Sequence, residues 1–547
     1  MKRLIIWIMA VATGCFTACD RQEAQYDIVI YGGTPGGFIA AIQAANHGKS
    51  VALIEPTYAV GGILVNGLGV TDIDSQKDFQ NSLAVGGLAL EFYRRIAVHY
   101  GREAAFLDAI ENKKKVREIW PHEPGVAERL IKQWLADVGV AVFTQTRLSE
   151  DSGAVTKHGS RIRQIAMEDG RTFSGRIFMD ASYEGDLLAA AGISVASGRE
   201  ANATYGETLN GVRGETTHAQ FQLKIDPYVE PGNPASGLIH TIQEGDLGEP
   251  GSASPYIQAY CFRACLTPVK ENQIPFEKPA GYDRSHYEIY LRYLRAGGKL
   301  LWPWVLVPNQ KSDLGAWHDL SHNLYGMNVG YPTGNYRTRE AIFNQHKTFT
   351  QGWFYFLAND PEVGELDPDL QREWSSWGLA KDEFTDNGGW PRQFYVRSAR
   401  RMVSDYVITE HHILKPDPIP VEDPVGVAYW PPDVHSARRI VKDGYAYNEG
   451  FVFEPAGQWR PLPISYRALV PKRSECTNLL TPTCPSSSYI AYGSIRLEWT
   501  FMVLGQSAAS AAVLAIDGDL DVQDIDYTKL REQLERDGQI LDLPGLI

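Results

Sequence analysis

Cysteine is scarce in this sequence, and the few cysteines form no metal-binding pattern. The 6 cysteines are Cys15, Cys19, Cys261, Cys265, Cys476 and Cys484. No two of them stand in a C-x-x-C arrangement, which argues against a cysteine-based metal site. The cysteines that follow residue 19 could pair in an oxidising compartment, but their spacing establishes no disulfide.

Positive charge is the second shortage. The chain has 52 Lys and Arg against 66 Asp and Glu, a formal net charge of -14 at pH 7. A field of this sign disfavours nucleic acid and anionic lipid head groups, so neither is expected as a partner. It says little about a small neutral substrate. No internal repeat or low-complexity tract is visible in the sequence.

The apolar run at the start of the chain, residues 4–12, is too short to span a bilayer as a permanent anchor. It follows Lys2 and Arg3, and small residues lead from it to Ala18 and Cys19. This pattern resembles a bacterial lipoprotein signal over residues 1–18, cleaved before a Cys19 that becomes acylated. We therefore expect an exported lipoprotein of the bacterial cell envelope, periplasmic or outer-membrane, that meets a membrane only through its lipid. Acylation of Cys15 and a plain secretory signal are the alternatives.

What the sequence does contain is typical of a large soluble enzyme. Its 547 residues suggest about three to four domains as a soft prior. Hydrophobic residues make up 44% and charged residues 22%, and the mean hydropathy is -0.26. The 13 Trp and 27 Tyr suit a site that stacks on sugars, although a large core explains them equally well.

The most informative segment joins an apolar strand, residues 26–31, to a glycine-rich turn, a helix over residues 38–45 and a second strand, residues 50–54. Gly32 and Gly33 let the chain turn sharply, and Gly37 lets the helix approach the sheet. The helix amino terminus offers free N–H groups and partial positive charge to a pyrophosphate. Glu55, which ends the second strand, can accept both ribose hydroxyls of an adenosine. The segment predicts the first βαβ unit of a dinucleotide-binding domain, with an ordinary strand-turn-helix that binds no nucleotide as the alternative.

A second glycine pair, Gly61-Gly62, follows Glu55 and would let the backbone run against FAD, an element that NAD dehydrogenases lack. With Gly-Gly-Thr-Pro-Gly-Gly at residues 32–37, the chain resembles the FAD-dependent oxidoreductases of the glutathione-reductase-like superfamily, in a Gly-Gly-Thr-Pro-x-Gly branch. Thr34 replaces the middle glycine of the usual fingerprint, and its Cβ would limit how closely a pyrophosphate approaches. That replacement is normal for the branch. Further matches lie at residues 180–187, 191–193, 198–200, 258–263, 311–313, 378–384, 395–402, 433–435 and 490–496.

The resemblance implies one FAD, and it assigns residues from several segments to the cofactor. These are Gly32, Gly33, Thr34, Pro35, Gly36, Gly37, Glu55, Pro56, Gly61, Gly62, Ile63, Asn66, Gly67, Leu148, Asp180, Ala181, Gly185, Asp186, Ser488 and Arg496. Asp180 and Asp186 could accept a hydroxyl of FAD or of the substrate, or could cap a helix. Arg496 and Glu498 are expected in the first turn of the last helix. There Arg496 would stabilise reduced flavin at its N1/O2 edge, unless it forms a structural ion pair.

The fold class expected is α/β: a Rossmann-like FAD-binding domain with a parallel sheet, interrupted by a large mixed α+β substrate domain. We place the first part of the FAD domain at residues 26–200, the substrate or cap domain at 201–465 and the return segment at 466–547. Within these, helices are predicted at residues 91–99, 126–138, 393–411 and 495–516. Strands are predicted at 140–144, 176–179 and 476–481.

The oxidation of an alcohol by a flavin needs a base that takes the hydroxyl proton while hydride leaves the carbon atom. His435, with Asp433 two residues before it, is the first candidate. Tyr489 is the second, because relatives carry His at its place. Arg397 is expected at the substrate, as are Arg199, Arg263 and Lys311. A salt bridge within the protein is the alternative interpretation of each. His318 and His322 have metal-ligand spacing on a presumed helix but no further ligand pattern, so no metal is expected.

These features together predict an FAD-dependent oxidoreductase that transfers hydride from a small molecule, a carbohydrate or its derivative, to flavin N5. The electron acceptor is unknown. A flavin-dependent lyase or isomerase would differ by turning over without an external acceptor. A glycan-binding lipoprotein with a remnant FAD site would differ by never reducing its flavin.

The leader generates the first prediction. Cys19→Ala should convert a membrane-associated protein into a soluble one, because a single Cys is expected to carry the lipid anchor. Detergent phase partitioning measures the change, with Cys15→Ala as the matched control. If Cys19→Ala still partitions with detergent as the natural protein does, the anchor lies elsewhere.

Overall fold

The computed structural model describes residues 24–546. The signal predicted at residues 1–18 and the acylated Cys19 lie outside these residues. In chain order, the strands of the described part are β1 (Ala24–Tyr31), β2 (Val51–Ile54), β3 (Ala141–Phe143), β4 (Val155–His158), β5 (Arg161–Ala166), β6 (Thr172–Asp180), β7 (Val195–Ala196), β8 (Ala264–Thr267), β9 (Gln273–Ile274), β10 (Ser312–Leu314), β11 (Gly378–Ala380), β12 (Arg401–Met402), β13 (Pro424–Ala428), β14 (Asp433–Val434), β15 (Arg438–Lys442), β16 (Tyr445–Glu449), β17 (Val452–Phe453), β18 (Leu462–Ser465) and β19 (Leu479–Leu480).

The α-helices of the same part are α1 (Pro35–Asn46), α2 (Gly87–His99), α3 (Glu103–Glu111), α4 (Pro124–Asp137), α5 (Asp186–Ala190), α6 (Asn202–Tyr205), α7 (Glu288–Arg295), α8 (Tyr336–Asn359), α9 (Pro361–Leu366), α10 (Pro368–Ser376), α11 (Tyr489–Ile495), α12 (Glu498–Gly518) and α13 (Tyr527–Arg536). Of these, α12 is long and apolar enough to cross a membrane, but 94% of its most apolar window is buried inside the protein. That burial is typical of a core helix.

The main sheet has a parallel centre and an antiparallel edge. Strands β3, β2, β1 and β6 lie side by side in parallel, and β19 adds in parallel to the last residues of β6. Strands β5 and β4 form an antiparallel hairpin on the first half of β6. The carboxyl ends of the parallel strands therefore meet at one edge, which is where open α/β sheets bind ligands. The predicted α/β class is confirmed.

Helix α1 lies unusually close to its neighbours because glycines face them. A Cβ on Gly37 would lie 1.9 Å from the carbonyl oxygen of Gly32, which has φ +103°, so both positions require glycine. A Cβ on Gly505 of α12 would lie 2.1 Å from the carbonyl oxygen of Gly36. The small face predicted for the last helix thus packs on α1, as expected.

The residues between the two parts of the main sheet form smaller sheets and a helical layer. Strands β10, β8, β11 and β9 form an antiparallel sheet, and β13–β18, β14–β17 and β15–β16 form two-stranded ribbons. Helices α8 and α10 pack through large rings, with Trp353 and Trp374 5.0 Å apart. This is the mixed α+β composition expected for residues 201–465; the boundaries themselves stay predictions.

The helix predicted over residues 393–411 is wrong. The segment is irregular apart from β12, which pairs with β7, and a 3-10 turn at Glu410–His412. Its arginines explain why: Arg397 donates to the carbonyl oxygens of Ala259 and Ala316, and Arg401 to those of Ser487 and Gly198. An extended backbone lets the buried guanidinium groups reach carbonyl oxygens on separate elements. In a helix the same side chains would point in other directions and would not reach these oxygens.

The helix predicted over residues 495–516 also differs from the prediction, because these residues do not form one helix. Helix α11 ends at Ile495, Arg496 is its C-cap, and Leu497 is extended before α12 begins at Glu498. Arg496 holds this break by donating to the carboxylate of Asp433, at 3.0 Å, and to its carbonyl oxygen, at 3.1 Å. Arg496 is therefore outside the first turn of α12, while Glu498 lies in it. The helix expected at His318 to His322 is absent too, since that segment consists of bends.

The close contact between α1 and α12 generates a stability prediction. Gly505→Ala should lower the melting temperature and reduce the free energy of unfolding by about 1–3 kcal/mol. The reason is that the new methyl group would press on backbone atoms rather than on a flexible side chain. Gly330→Ala is the control, since a Cβ there meets only Ile342 at 3.7 Å. Equal melting temperatures for the two variants would contradict the packing described here.

Candidate functional site

A cavity of about 690 Å³ opens at the carboxyl edge of the main sheet. Its walls include the ends of β1 and β2 and the turn after β6, at Gly32, Thr34, Glu55, Ser182 and Glu184. The volume lies within the range of small-molecule and cofactor sites. The cavity therefore lies where the sequence predicts the dinucleotide.

Thr34 is the N-cap of α1, and its side chain is engaged within the fold. Its hydroxyl donates to the carbonyl oxygen of Ala181, at 2.7 Å, and accepts a long hydrogen bond of 3.4 Å from the N–H of Gly37. Pro35 occupies the first helical position, where a missing N–H costs nothing. Thr34 thus fastens the start of α1 to the end of β6. The first turn keeps the partial positive charge that favours a pyrophosphate.

Glu55 is a buried carboxylate that ties the glycine turn to the next loop. Its Oε2 accepts the N–H of Gly33 and its Oε1 accepts the N–H of Thr57, both at 2.7 Å. Burial raises its pKa above the usual value, while these two hydrogen bonds oppose the rise. Each carboxylate oxygen keeps a further lone pair, and Glu55 and Pro56 both line the cavity. This geometry fits the predicted acceptance of ribose hydroxyls.

Cationic side chains that the sequence reasoning missed line the same cavity: Arg147, Arg339, Lys347 and Arg392. Arg339 forms two hydrogen bonds of 2.7 Å with Asp186, which also lines the cavity. Their positions along the chain carry no motif, so only the fold brings them together. Cations of this kind, beside a helix amino terminus and a ribose-type carboxylate, fit the anionic FAD that the resemblance implies.

The loop that contains the second glycine pair is held from several sides. Gly61, Gly62 and Gly67 have φ of +130°, +56° and +116°, and a Cβ on Gly67 would lie 1.7 Å from the carbonyl oxygen of Arg263. The N–H of Ile63 donates to the hydroxyl of Tyr183 at 3.1 Å. These residues lie behind the cavity wall rather than on it.

Two further predicted residues position the loop and the wall. Asn66 donates to the carbonyl oxygen of Gly62 at 2.8 Å and accepts the N–H of Arg392 at 3.1 Å. Leu148 donates its N–H to Tyr31, at 3.1 Å, and its carbonyl accepts the hydroxyl of Tyr336, at 2.8 Å. Both tyrosines line the cavity. Contact of these loop residues with FAD stays a prediction.

Asp180 serves the turn after β6, which favours the capping interpretation. Its carboxylate accepts the N–H and hydroxyl of Ser182, at 3.0 and 2.6 Å, and the N–H of Leu188 in α5, at 2.7 Å. Burial raises its pKa to about 6. Gly185, the N-cap of α5, has φ +67°. Asp186, by contrast, pairs with Arg339 and with Arg400 at 2.8 Å.

Asp433, His435 and Arg496 form a second group, the histidine cluster. The carboxylate of Asp433 accepts Nη2 of Arg496 and Nε1 of Trp430, both at 3.0 Å. Nε2 of His435 lies 4.0 Å from Oδ1 of Asp433. The side chains are mostly buried, with 12% exposed for His435 and 11% for Asp433. The structure thus brings both predicted residues of the Asp-x-His segment together with Arg496.

Several polar atoms of the histidine cluster have no partner among the described residues. They are Oδ1 of Asp433, Nδ1 of His435 and Nε2 of Gln258, whose Oε1 accepts the N–H of His435 at 3.1 Å. Buried polar groups are nearly always satisfied, so unpartnered ones mark a place for a ligand or water. Burial, and then the charges of Arg397 and Arg496, lower the pKa of His435 well below its usual value. The imidazole is therefore neutral near pH 7, which is the form that a base must have.

Tyr489 and Ser488 lie at the start of α11, away from the large cavity. The hydroxyl of Tyr489 accepts the N–H of Gln258 at 3.0 Å, and burial raises its pKa to about 12. A phenol of this kind stays protonated near pH 7, which disfavours it as the base. Ser488 caps α11 through the N–H of Ala491, at 3.2 Å, and donates to Glu207. Its contact with FAD stays a prediction.

The other predicted cations are structural. Arg397 is fully buried and donates to main-chain oxygens, including that of Ala316 at 2.7 Å. Arg199 pairs with Glu449 at 2.6 Å, and Arg263 with Asp313 at 2.6 Å. The ion-pair interpretation thus fits Arg199 and Arg263, whereas Arg397 is held by main-chain oxygens.

Lys311 occupies an acidic group that could otherwise hold a metal. Its Nζ lies 2.5 Å from Glu123, 2.8 Å from Asp382 and 2.7 Å from Glu383. The ammonium group supplies the positive charge that these carboxylates require. Lys311 therefore fastens three segments together instead of facing a substrate.

Comparison with known proteins gives short sequence matches and partial structural ones. The chain is 55% identical over 45 residues to a dihydrolipoyl dehydrogenase of Acholeplasma laidlawii, covering 8% of this chain and 13% of that protein. It is 51% identical over 42 residues to a dihydrolipoyl dehydrogenase of Mycobacterium tuberculosis, covering 8% and 9%. The chain thus spans only about a tenth of the length of these relatives.

The similar solved structures match only part of this chain, and their TM-scores are low. An L-amino acid deaminase from Proteus vulgaris has 15% identity and a TM-score of 0.24, covering 32% of this chain and 52% of that one. An L-proline dehydrogenase from P. horikoshii has 17% identity and a TM-score of 0.25, covering 33% and 59%. The family model described as FAD dependent oxidoreductase, in contrast, matches residues 27–534. The chain belongs to the FAD-dependent oxidoreductases, and FAD is its cofactor.

Proposed function

We propose that this FAD-dependent oxidoreductase oxidises a carbohydrate or carbohydrate derivative at a carbon that bears a hydroxyl group. FAD, when bound, supplies the acceptor for the hydride at flavin N5. The observation that carries the proposal is the histidine cluster, in which buried polar atoms of Asp433, His435 and Gln258 have no partner among residues 24–546.

His435 is suited to take the hydroxyl proton of the substrate. Its ring is neutral near pH 7, which is the form that a base must have, and its Nδ1 has no partner in the described part of the chain, which leaves room for a substrate hydroxyl. Asp433 lies on the side of Nε2, at 4.0 Å, where its negative charge would stabilise the imidazolium that forms. Arg496 fixes Asp433 through its 3.0 Å hydrogen bond. Asp433 and Arg496 are therefore expected to position the base rather than to exchange protons.

An exposed tryptophan, Trp317, supports a sugar as substrate. The indole of Trp317 is 46% exposed and its ring lies 3.6 Å from that of His318. Its neighbour Ala316 accepts a hydrogen bond from Arg397, and a Cβ on Gly315 would lie 2.0 Å from Arg263. Trp317 thus follows two residues that contact Arg263 and Arg397. An exposed aromatic face of this kind suits the C–H face of a sugar ring.

The setting in the cell is part of the proposal. We infer from residues 1–18 and Cys19 that the mature protein is exported and lipid-anchored in a bacterial cell envelope, where glycans are available. The partners proposed are the small-molecule substrate and an electron acceptor of unknown identity. The net charge of -14 supports the absence of nucleic acid from this set.

Glu55 generates a prediction on cofactor affinity. Glu55→Ala should weaken FAD binding by about 1–3 kcal/mol, because ribose hydroxyls would lose their acceptor. Titration of the apoprotein with FAD, followed by absorbance, measures the loss. Since Glu55 also holds Gly33 and Thr57, the melting temperature without FAD must be measured beside it. Unchanged FAD affinity would remove Glu55 from the site.

His435 generates a prediction on rate. His435→Ala should slow flavin reduction by the substrate about 10²–10⁴-fold, the usual scale of general base catalysis, and leave FAD content unchanged. Anaerobic stopped-flow absorbance measures the rate. Tyr489→Phe is the matched control and should change it little, because that hydroxyl only accepts from Gln258. A large loss in Tyr489→Phe with little loss in His435→Ala would reverse the assignment.

A further inference from the structure

A very small pocket lies between α2, the start of α12 and the loop that ends at residue 72. Its volume is about 10 Å³, and its polar lining residues are Thr71, Asp72, Tyr93, Tyr395, Glu498 and Trp499. A pocket of this size holds about one water molecule when it offers two to four polar partners. It is separate from the 690 Å³ cavity, with which it shares no lining residue.

Two walls of the small pocket carry unpartnered donors. The hydroxyl of Tyr93 and Nε1 of Trp499 are buried, and neither finds an acceptor in the described part of the chain. Asp72 and Glu498 line the same space. Since buried donors are seldom left unsatisfied, a water that accepts from Tyr93 or Trp499 and donates to a carboxylate would complete the site.

Glu498 connects this pocket to the loop of the second glycine pair. It is the first residue of α12, and its Oε2 accepts the hydroxyl of Tyr183 at 2.8 Å. Tyr183 in turn accepts the N–H of Ile63 at 3.1 Å. A short chain of hydrogen bonds therefore runs from the pocket to the residues assigned to FAD.

The charge on Glu498 is set by its surroundings. Burial raises its pKa to about 8, while the hydrogen bond from Tyr183 and the charge of Arg496 oppose that rise. The charge of Arg496 is already matched by Asp433 at 3.0 Å. The other titratable groups that face Glu498 are Tyr93 on α2, Tyr492 on α11, Tyr395, and Asp72 across the pocket.

We propose that Glu498 and the small pocket form a proton store, in which one water joins Tyr93, Trp499, Asp72 and Glu498. In alkaline solution the Glu498 carboxylate takes up one proton from solvent, through this water, when negative charge develops at the loop of the second glycine pair. Carboxylate and proton give the neutral acid, and no electrons are moved. Tyr183 holds Glu498 against Ile63, so Glu498 is a positioning residue that acts through Tyr183. The proposal does not depend on which substrate is oxidised.

Infrared difference spectroscopy of the FAD-loaded protein tests the store directly. The natural protein minus Glu498→Gln should show the carbonyl band of one protonated carboxyl group at pH 7. That band should disappear as the pH rises through about 8, because the group then ionises. Glu535→Gln is the control, since Glu535 is exposed and paired with Arg531. Absence of the band at pH 7 would overturn the proposal.

A second variant keeps the test decisive if Glu498→Gln does not fold. Tyr183→Phe removes the donor to Glu498 and keeps the ring, so the carboxyl band should remain but change frequency. An unshifted band would contradict the contact on which the proposal rests.

The reduction potential of the bound cofactor tests the coupling. Above about pH 8 the potential of the natural protein should fall with pH more steeply than that of Glu498→Gln, by about 30 mV per pH unit, the value of one proton per two electrons. Spectroelectrochemical titration measures both slopes and requires no substrate. Equal slopes would refute proton uptake by Glu498, whatever the outcome for carbohydrate oxidation.

Discussion

Helix α1 packs directly against the backbone of its neighbours, and this packing fixes where the cofactor site lies. A side chain at Gly37 would collide with Gly32, and one at Gly505 would collide with Gly36. Because these positions are glycine, α1 begins directly at the carboxyl edge of the main sheet, and α12 lies on it. The first turn of α1, Thr34 and Glu55 then meet at one cavity. The position of the cofactor site thus depends first on backbone packing and then on polar contacts.

The break between α11 and α12 links two functional regions. Arg496, in the break, binds Asp433 and so organises the histidine cluster. Two residues later, Glu498 binds Tyr183, which contacts Ile63 in the loop of the second glycine pair. Tyr395 accepts from Arg496 at 3.2 Å and also lines the small pocket beside Glu498. A single irregular turn therefore sets the distance between the proposed substrate base and the cofactor loop.

Local sequence was enough to predict the first βαβ unit, its glycine turn and Glu55, because their signals are contiguous and each has one physical cause. It was also enough to pair Asp433 with His435, which are two residues apart. It failed where partners are distant. Arg147, Arg339, Lys347 and Arg392 meet only in the fold, and Tyr183 meets Glu498 across 315 positions. The helix wrongly predicted at residues 393–411 has the same cause, because the buried arginines of this segment donate to carbonyl oxygens that are remote in sequence.

We propose that this chain holds an FAD that a carbohydrate can reduce. An anaerobic titration of the purified protein with sugars and sugar acids, followed by flavin absorbance, tests this directly. We expect at least one of them to remove the absorbance of the oxidised flavin. A flavin that dithionite reduces but that stays oxidised with every sugar and sugar acid would contradict the claim, as would a protein that binds no FAD.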